Sequence, residues 1–133
     1  MSLKNVNTAL ATLGALFIIY IGLSYVLAPH STAPNFGLPH WPPRDGDGFL
    51  VLKGIRDIVS GLVIAVMLII RQRRALAWVL LVQACTPLGD MVTVLAHGGS
   101  PAAAFGIHGT TAALVALTGL LTFRETSRQP ALR

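Results

Sequence analysis

Five ionisable residues stand where their neighbours are almost all apolar: Lys53, Arg56 and Asp57 in one stretch, Asp90 in the next, and His108 in the last. On insertion scales an ionisable side chain in hydrocarbon costs roughly 2.5–3.5 kcal/mol, so such groups are paired, hydrated or functional. Lys53 and Asp57 are four residues apart and Lys53 and Arg56 three apart, so one helix face can carry all three. Arg56 with Lys53 is the expected holder of an oxyanion or carboxylate. Asp90 or Asp57 with His108 could move protons, the chemistry of an isomerase or cyclase. Tyr25, and Phe36 and Trp41 from a proline-rich loop, complete the expected ligand-binding set. Pro87 removes a backbone hydrogen bond just before Asp90, and Gly89 leaves room beside it.

Four apolar segments must position these groups: about 8–28, 48–70, 75–96 and 102–123, each near the roughly 20 residues that span hydrocarbon. None alternates as a barrel strand does, so the expected fold is all-α, an integral membrane four-helix bundle forming one transmembrane domain over 1–133. The stretch after Lys4 is longer than a signal-peptide core and reads as a retained helix.

Orientation follows from charge. Lys4 precedes the first helix, Arg71, Arg73 and Arg74 lie between the second and third, and Arg124, Arg128 and Arg133 follow the fourth. The turn His97–Pro101 has neither lysine nor arginine. Both termini are therefore expected in the cytoplasm, with loop 29–47 outside and tail 124–133 inside. This topology sets Arg56, Asp57, Asp90 and His108 roughly 9–14 Å below the outer boundary, in one layer. The inner halves of the helices read as almost wholly apolar, which disfavours a continuous pore.

Composition excludes other classes. Of 133 residues, 53% are hydrophobic and 11% charged, with mean hydropathy +0.68, too apolar for a soluble fold to cover its core. The net charge of +5 sits in short clusters without a basic helix face, so nucleic acid is not an expected partner. Cys85 is the single cysteine and allows no internal disulfide. His97, His30 and His40 read as surface groups, and Gln83 and Cys85 as packing residues. Asp90, His97 and His108 lack metal-ligand spacing, and neither a metal nor a cofactor is expected. The loop with Pro29, Pro34, Pro39, Pro42 and Pro43 serves as a lid over a cavity or as a rigid connector. Gly54 and Gly61, and Ala102 with Gly106 and Gly109, suit close helix packing within a subunit or within a homodimer.

Phe36-Gly37-Leu38-Pro39, Lys53-Gly54-Ile55-Arg56-Asp57 with Gly61, Asp90 and His108 together resemble a family of small bacterial and fungal four-helix membrane proteins defined as a domain of unknown function. The resemblance covers most of the chain. It implies a four-helix membrane fold, and it supports Arg56, Asp57, Asp90 and His108 as the set to watch. The expected location is the bacterial cytoplasmic (inner) membrane, as a multi-pass protein. The leading expectation is binding or conversion of a lipophilic small molecule in a pocket open to the extracytoplasmic side. The alternatives are a proton-coupled transporter working as an oligomer, a non-catalytic accessory subunit, and a purely structural ion network of Arg56 with Asp57 or Asp90.

Overall fold

Helix α1 (Leu3–Leu27) begins where Ser2 can cap it, the hydroxyl accepting from the Asn5 amide at 3.3 Å. That cap carries the helix back past Thr8, where the apolar stretch alone would start it. The computed structural model describes residues 2–127, and among these there is no strand. Arg128 and Arg133, two of the three basic residues expected after the fourth helix, lie outside the described residues.

Ala28 breaks α1 ahead of Pro29, and the chain turns through the short helix α2 (Pro29–Thr32) and a 3-10 turn, Ala33–Phe36. A second 3-10 turn, Arg44–Gly46, leads into α3 (Asp47–Ile69). Helices α4 (Arg73–Gln83) and α5 (Cys85–Ala96) form one rod interrupted at Ala84. Pro87 accounts for the interruption, since it has no amide to offer the Gln83 carbonyl. The last rod is α6 (Pro101–Ala103), a π-helical segment Ala104–Gly109, and α7 (Thr110–Ser127). Ser100 caps its start, accepting from Ala103 at 3.2 Å.

The turns joining the rods share one motif. After α5, the Gly98 and Gly99 amides bond back to Leu95 and Val94, with Gly98 left-handed at φ 67°. After α3, the Arg71 and Gln72 amides bond back to Leu68 and Met67 in the same pattern. There the left-handed position, φ 57°, is held by Arg71, a residue with a side chain to strain.

Helix α1 packs along α3 and α4 along α7, while α1–α7 and α3–α4 contacts close the bundle. Glycine makes the α1–α3 seam. A Cβ on Gly54 would lie 2.5 Å from the Gly22 carbonyl oxygen, and one on Gly61 2.7 Å from that of Ala15. Ala11, Ala15, Ile64, Leu76 and Leu80 fill the centre, with a smaller cluster of Tyr25, Ala33 and Leu50 towards the loop. Helix α5 leans on the π-helical segment and α7 rather than on α3. At that end the bundle is open between α3 and α5, and the loop segment Ala33–Gly37 enters the gap.

Three of the rods are long and apolar enough to cross a membrane: Leu3–Leu27, Arg73–Ala96 and Pro101–Ser127. Their outward faces are apolar too. Leu27 is 79% exposed and Leu13 64%, and on α3 Ile69 is 77% and Phe49 73%. A lone soluble chain rarely shows so much large apolar surface.

Candidate functional site

At the loop end, four polar side chains from three rods meet two aromatic rings. Helix α3 contributes Lys53 and Asp57, one turn apart, with the Lys53 Nζ donating to Asp57 Oδ2 at 2.7 Å. The Asp57 carboxylate is buried, and the pair satisfies it at this depth. The Lys53 ammonium also lies 4.6 Å from the centre of the Tyr25 ring and 5.4 Å from that of Phe36, so two π faces and one carboxylate surround it.

His108 is buried, and the π-helical segment is what turns it inward. One extra residue per turn rotates the helix face, and the Thr110 hydroxyl bonds back to the Phe105 carbonyl at 3.1 Å, closing that wide turn. His108 Nε2 lies 2.8 Å from the Phe36 carbonyl oxygen and the two rings are 4.6 Å apart. A carbonyl only accepts, so Nε2 carries hydrogen and donates. Nδ1 then faces Asp90 Oδ2 at 3.9 Å. With neutral imidazole both of these atoms are acceptors. A proton arriving between them, or a donor group of a ligand, would be held by both. This is the arrangement's chemical capacity: a proton-accepting pair, with an ammonium–carboxylate pair across the same gap.

The loop is fastened on both sides of Phe36. Gly37 is left-handed at φ 97° and packs so closely that a Cβ would sit 2.5 Å from that of Ala103. Its carbonyl accepts from the Ser100 amide at 2.8 Å. At the base of the loop, His30 Nε2 contacts Asp47 Oδ1 and ties its start to the start of α3.

Of the expected set, Lys53, Asp57, Asp90, His108, Tyr25 and Phe36 come together here. Arg56 and Trp41 do not. Arg56 is exposed on α3 and forms no ion pair with a described residue, because Asp57, adjacent in sequence, points to the seam while Arg56 points out. Trp41 is also exposed, in the loop. Gln83 donates to the Ser60 carbonyl at 3.1 Å, joining α4 to α3, while Cys85 is exposed. His97 and His40 are on the surface. Among the described residues, no three of His, Cys, Asp and Glu are grouped as metal ligands would be. Two surface recesses, of about 400 and 350 Å³, lie elsewhere: one along Leu120, Phe123, Arg124 and Ser127, the other between α3 and α4 at Val63, Trp78, Val79, Val82 and Gln83.

The opposite end corrects the expectation that the tail begins at residue 124, since α7 runs on to Ser127 and a polar cluster joins the helix ends there. The Arg73 guanidinium grips Glu125 in fork fashion, Nε to Oε1 at 2.9 Å and Nη2 to Oε2 at 2.7 Å. Asn7 Nδ2 donates to the same Oε2 at 3.0 Å, and Arg73 Nη1 reaches the Thr8 hydroxyl at 3.2 Å. Asn7 and Glu125 are buried. Glu125 lay in what reads as a polar tail; α7 runs on to Ser127, and Glu125 recurs on the buried side with Thr118 and Thr122, seven and three residues before it. That helical spacing was the signal in the sequence. Arg73 thus locks α1, α4 and α7 rather than standing free in a basic loop.

The fold and the two polar layers define an all-α protein with three helices fit to cross a membrane. The chain belongs to the family described as Domain of unknown function (DUF4267), whose model matches residues 15–122. Neither curated proteins nor solved structures gave a match. The match spans all of the Lys53–His108 layer and Arg73, and leaves out Asn7, Thr8 and Glu125.

Proposed function

We propose that this is a four-span membrane protein whose loop-end polar layer binds a lipophilic small molecule, with Asp90 and His108 exchanging protons with it. On this reading α3 is the fourth span, and its charges are tolerated because Lys53 and Asp57 neutralise each other inside the bundle. The charge pattern of the ends places both termini and the α3–α4 turn in the cytoplasm, so the layer opens to the extracytoplasmic side.

The observation that carries the reading is a loop side chain set between two rods. The Phe36 ring stands between Lys53 of α3 and His108 of the last rod. An apolar ring sits against an imidazole, an ammonium and, through His108, a carboxylate. An apolar ligand that replaced the ring would meet an ammonium on one side and a proton-accepting pair on the other. Lys53, not Arg56, is the cation this geometry offers within one chain. Transport through a single chain is disfavoured because Ala11, Ala15, Ile64, Leu76 and Leu80 close the middle.

The test is native mass spectrometry of the protein released from its own membranes, for wild type and Phe36→Ala, Asp90→Asn and His108→Gln. A co-purifying small molecule, retained more in Phe36→Ala and lost in the other two, supports the proposal. Folded variants that all carry the same lipids as wild type would overturn it.

A further inference from the structure

Arg56 forms no ion pair with a described residue, and it stands on a surface otherwise made of Phe49, Leu52, Val59 and Val63. It is seven residues, two turns, from Val63, and so shares the helix face on which Val63 lines the groove between α3 and α4. The second incompletely paired charge is on α5. The Asp90 side chain is 29% exposed, has no hydrogen-bond donor among the described residues, and is 3.9 Å from its nearest basic group, His108 Nδ1. Beside it Gly89 faces open space, where a Cβ would meet nothing within 4 Å.

The two charges are level. Arg56 is nine residues into α3 and Asp90 six residues from the end of α5, or roughly 14 Å and 9 Å from the loop end. An arginine on α3 leans towards the helix N-terminus, which is the loop end, and this closes the difference of about 5 Å.

We infer that two copies of the chain pair through the α3–α5 face, so that Arg56 of each reaches Asp90 of the other and completes its polar layer. The symmetry permits it. The α3 and α4–α5 rods are neighbours on one side of the bundle, and a two-fold axis along the membrane normal sets α3 of one copy against α5 of the other, twice. The open flank of Gly89 admits the approaching helix, and the apolar groove at Val63 and Val82 receives side chains on the same face. A lipid phosphate could satisfy Arg56 but offers no cation to Asp90, whereas a second copy of the chain presents both charges at matching depth. Arg56 then acts on the site in trans, as a positioning residue that holds the Asp90 carboxylate beside His108.

This inference rests on α3 crossing the membrane, and the experiment separates the two. Full-length protein is first tested for resistance to alkaline extraction from membranes; release would defeat the membrane reading itself. The mass of the detergent-purified protein is then measured across a concentration series. A dimer is expected, with Arg56→Glu or Asp90→Arg weakening it by about tenfold or more and the double exchange restoring it. Because these variants could fail to fold, Arg56→Cys and Asp90→Cys, each with Cys85→Ser and a different tag, are also co-expressed and oxidised. A disulfide between the two tags supports the pairing. A membrane-embedded chain that is monomeric at every concentration and gives no mixed disulfide overturns it.

Discussion

Removing Glu125 tests the lock between α1, α4 and α7. Glu125→Ala takes away the acceptor of two Arg73 hydrogen bonds, 2.9 and 2.7 Å, and one from Asn7 at 3.0 Å. Arg73 would keep only the Thr8 hydroxyl at 3.2 Å, and its side chain is 14% exposed, so water reaches it poorly. Breaking a buried pair by removing one partner typically costs about 3–5 kcal/mol, because the charge left behind has lost its compensation. The slight exposure of Arg73 and its place at a helix end put the expected loss near the lower figure, about 3 kcal/mol. The assay is reversible unfolding in mixed micelles with helicity as the readout, for Glu125→Ala, Arg73→Ala and the double variant. The double variant should lose much less than the sum of the singles, with a coupling of about 1 kcal/mol or more. Additive single losses, or a Glu125→Ala loss under about 1 kcal/mol, would refute the view that this fork holds the helices together.

Three further predictions concern the backbone. Gly54→Ala should destabilise by about 1–3 kcal/mol, since its Cβ meets the Gly22 carbonyl oxygen and α1 must move away. Gly89→Ala, inside α5 with open space around it, should instead stabilise the monomer by about 0.5–1 kcal/mol in the same measurement. Arg71→Gly should stabilise by about 1 kcal/mol by relieving the left-handed strain in the α3–α4 turn; a midpoint equal to or below wild type would show that the arginine side chain contributes something the backbone argument omits.

The helical class of the protein was legible from composition and the length of the apolar stretches, because a backbone without water must bond to itself. So were the residues of the loop-end layer, since a charge in an apolar stretch announces itself. Two kinds of information were not legible. Arg56 and Asp57 are adjacent, and their charges alone do not tell which points inward; the glycine seam with α1 decides it by fixing the rotation of α3. Glu125 looked like part of a solvated tail because it follows the last apolar residues, and it joins Arg73 and Asn7 only once three helices meet. The inward turn of His108 depends on a π-helical segment, a rare form that local sequence does not specify, so its neighbours in space choose it. Local sequence therefore determined which segments are helices and which residues demand partners. The choice of partner belonged to the tertiary structure, because helix rotation and register are set by the close packing of residues far apart in the chain.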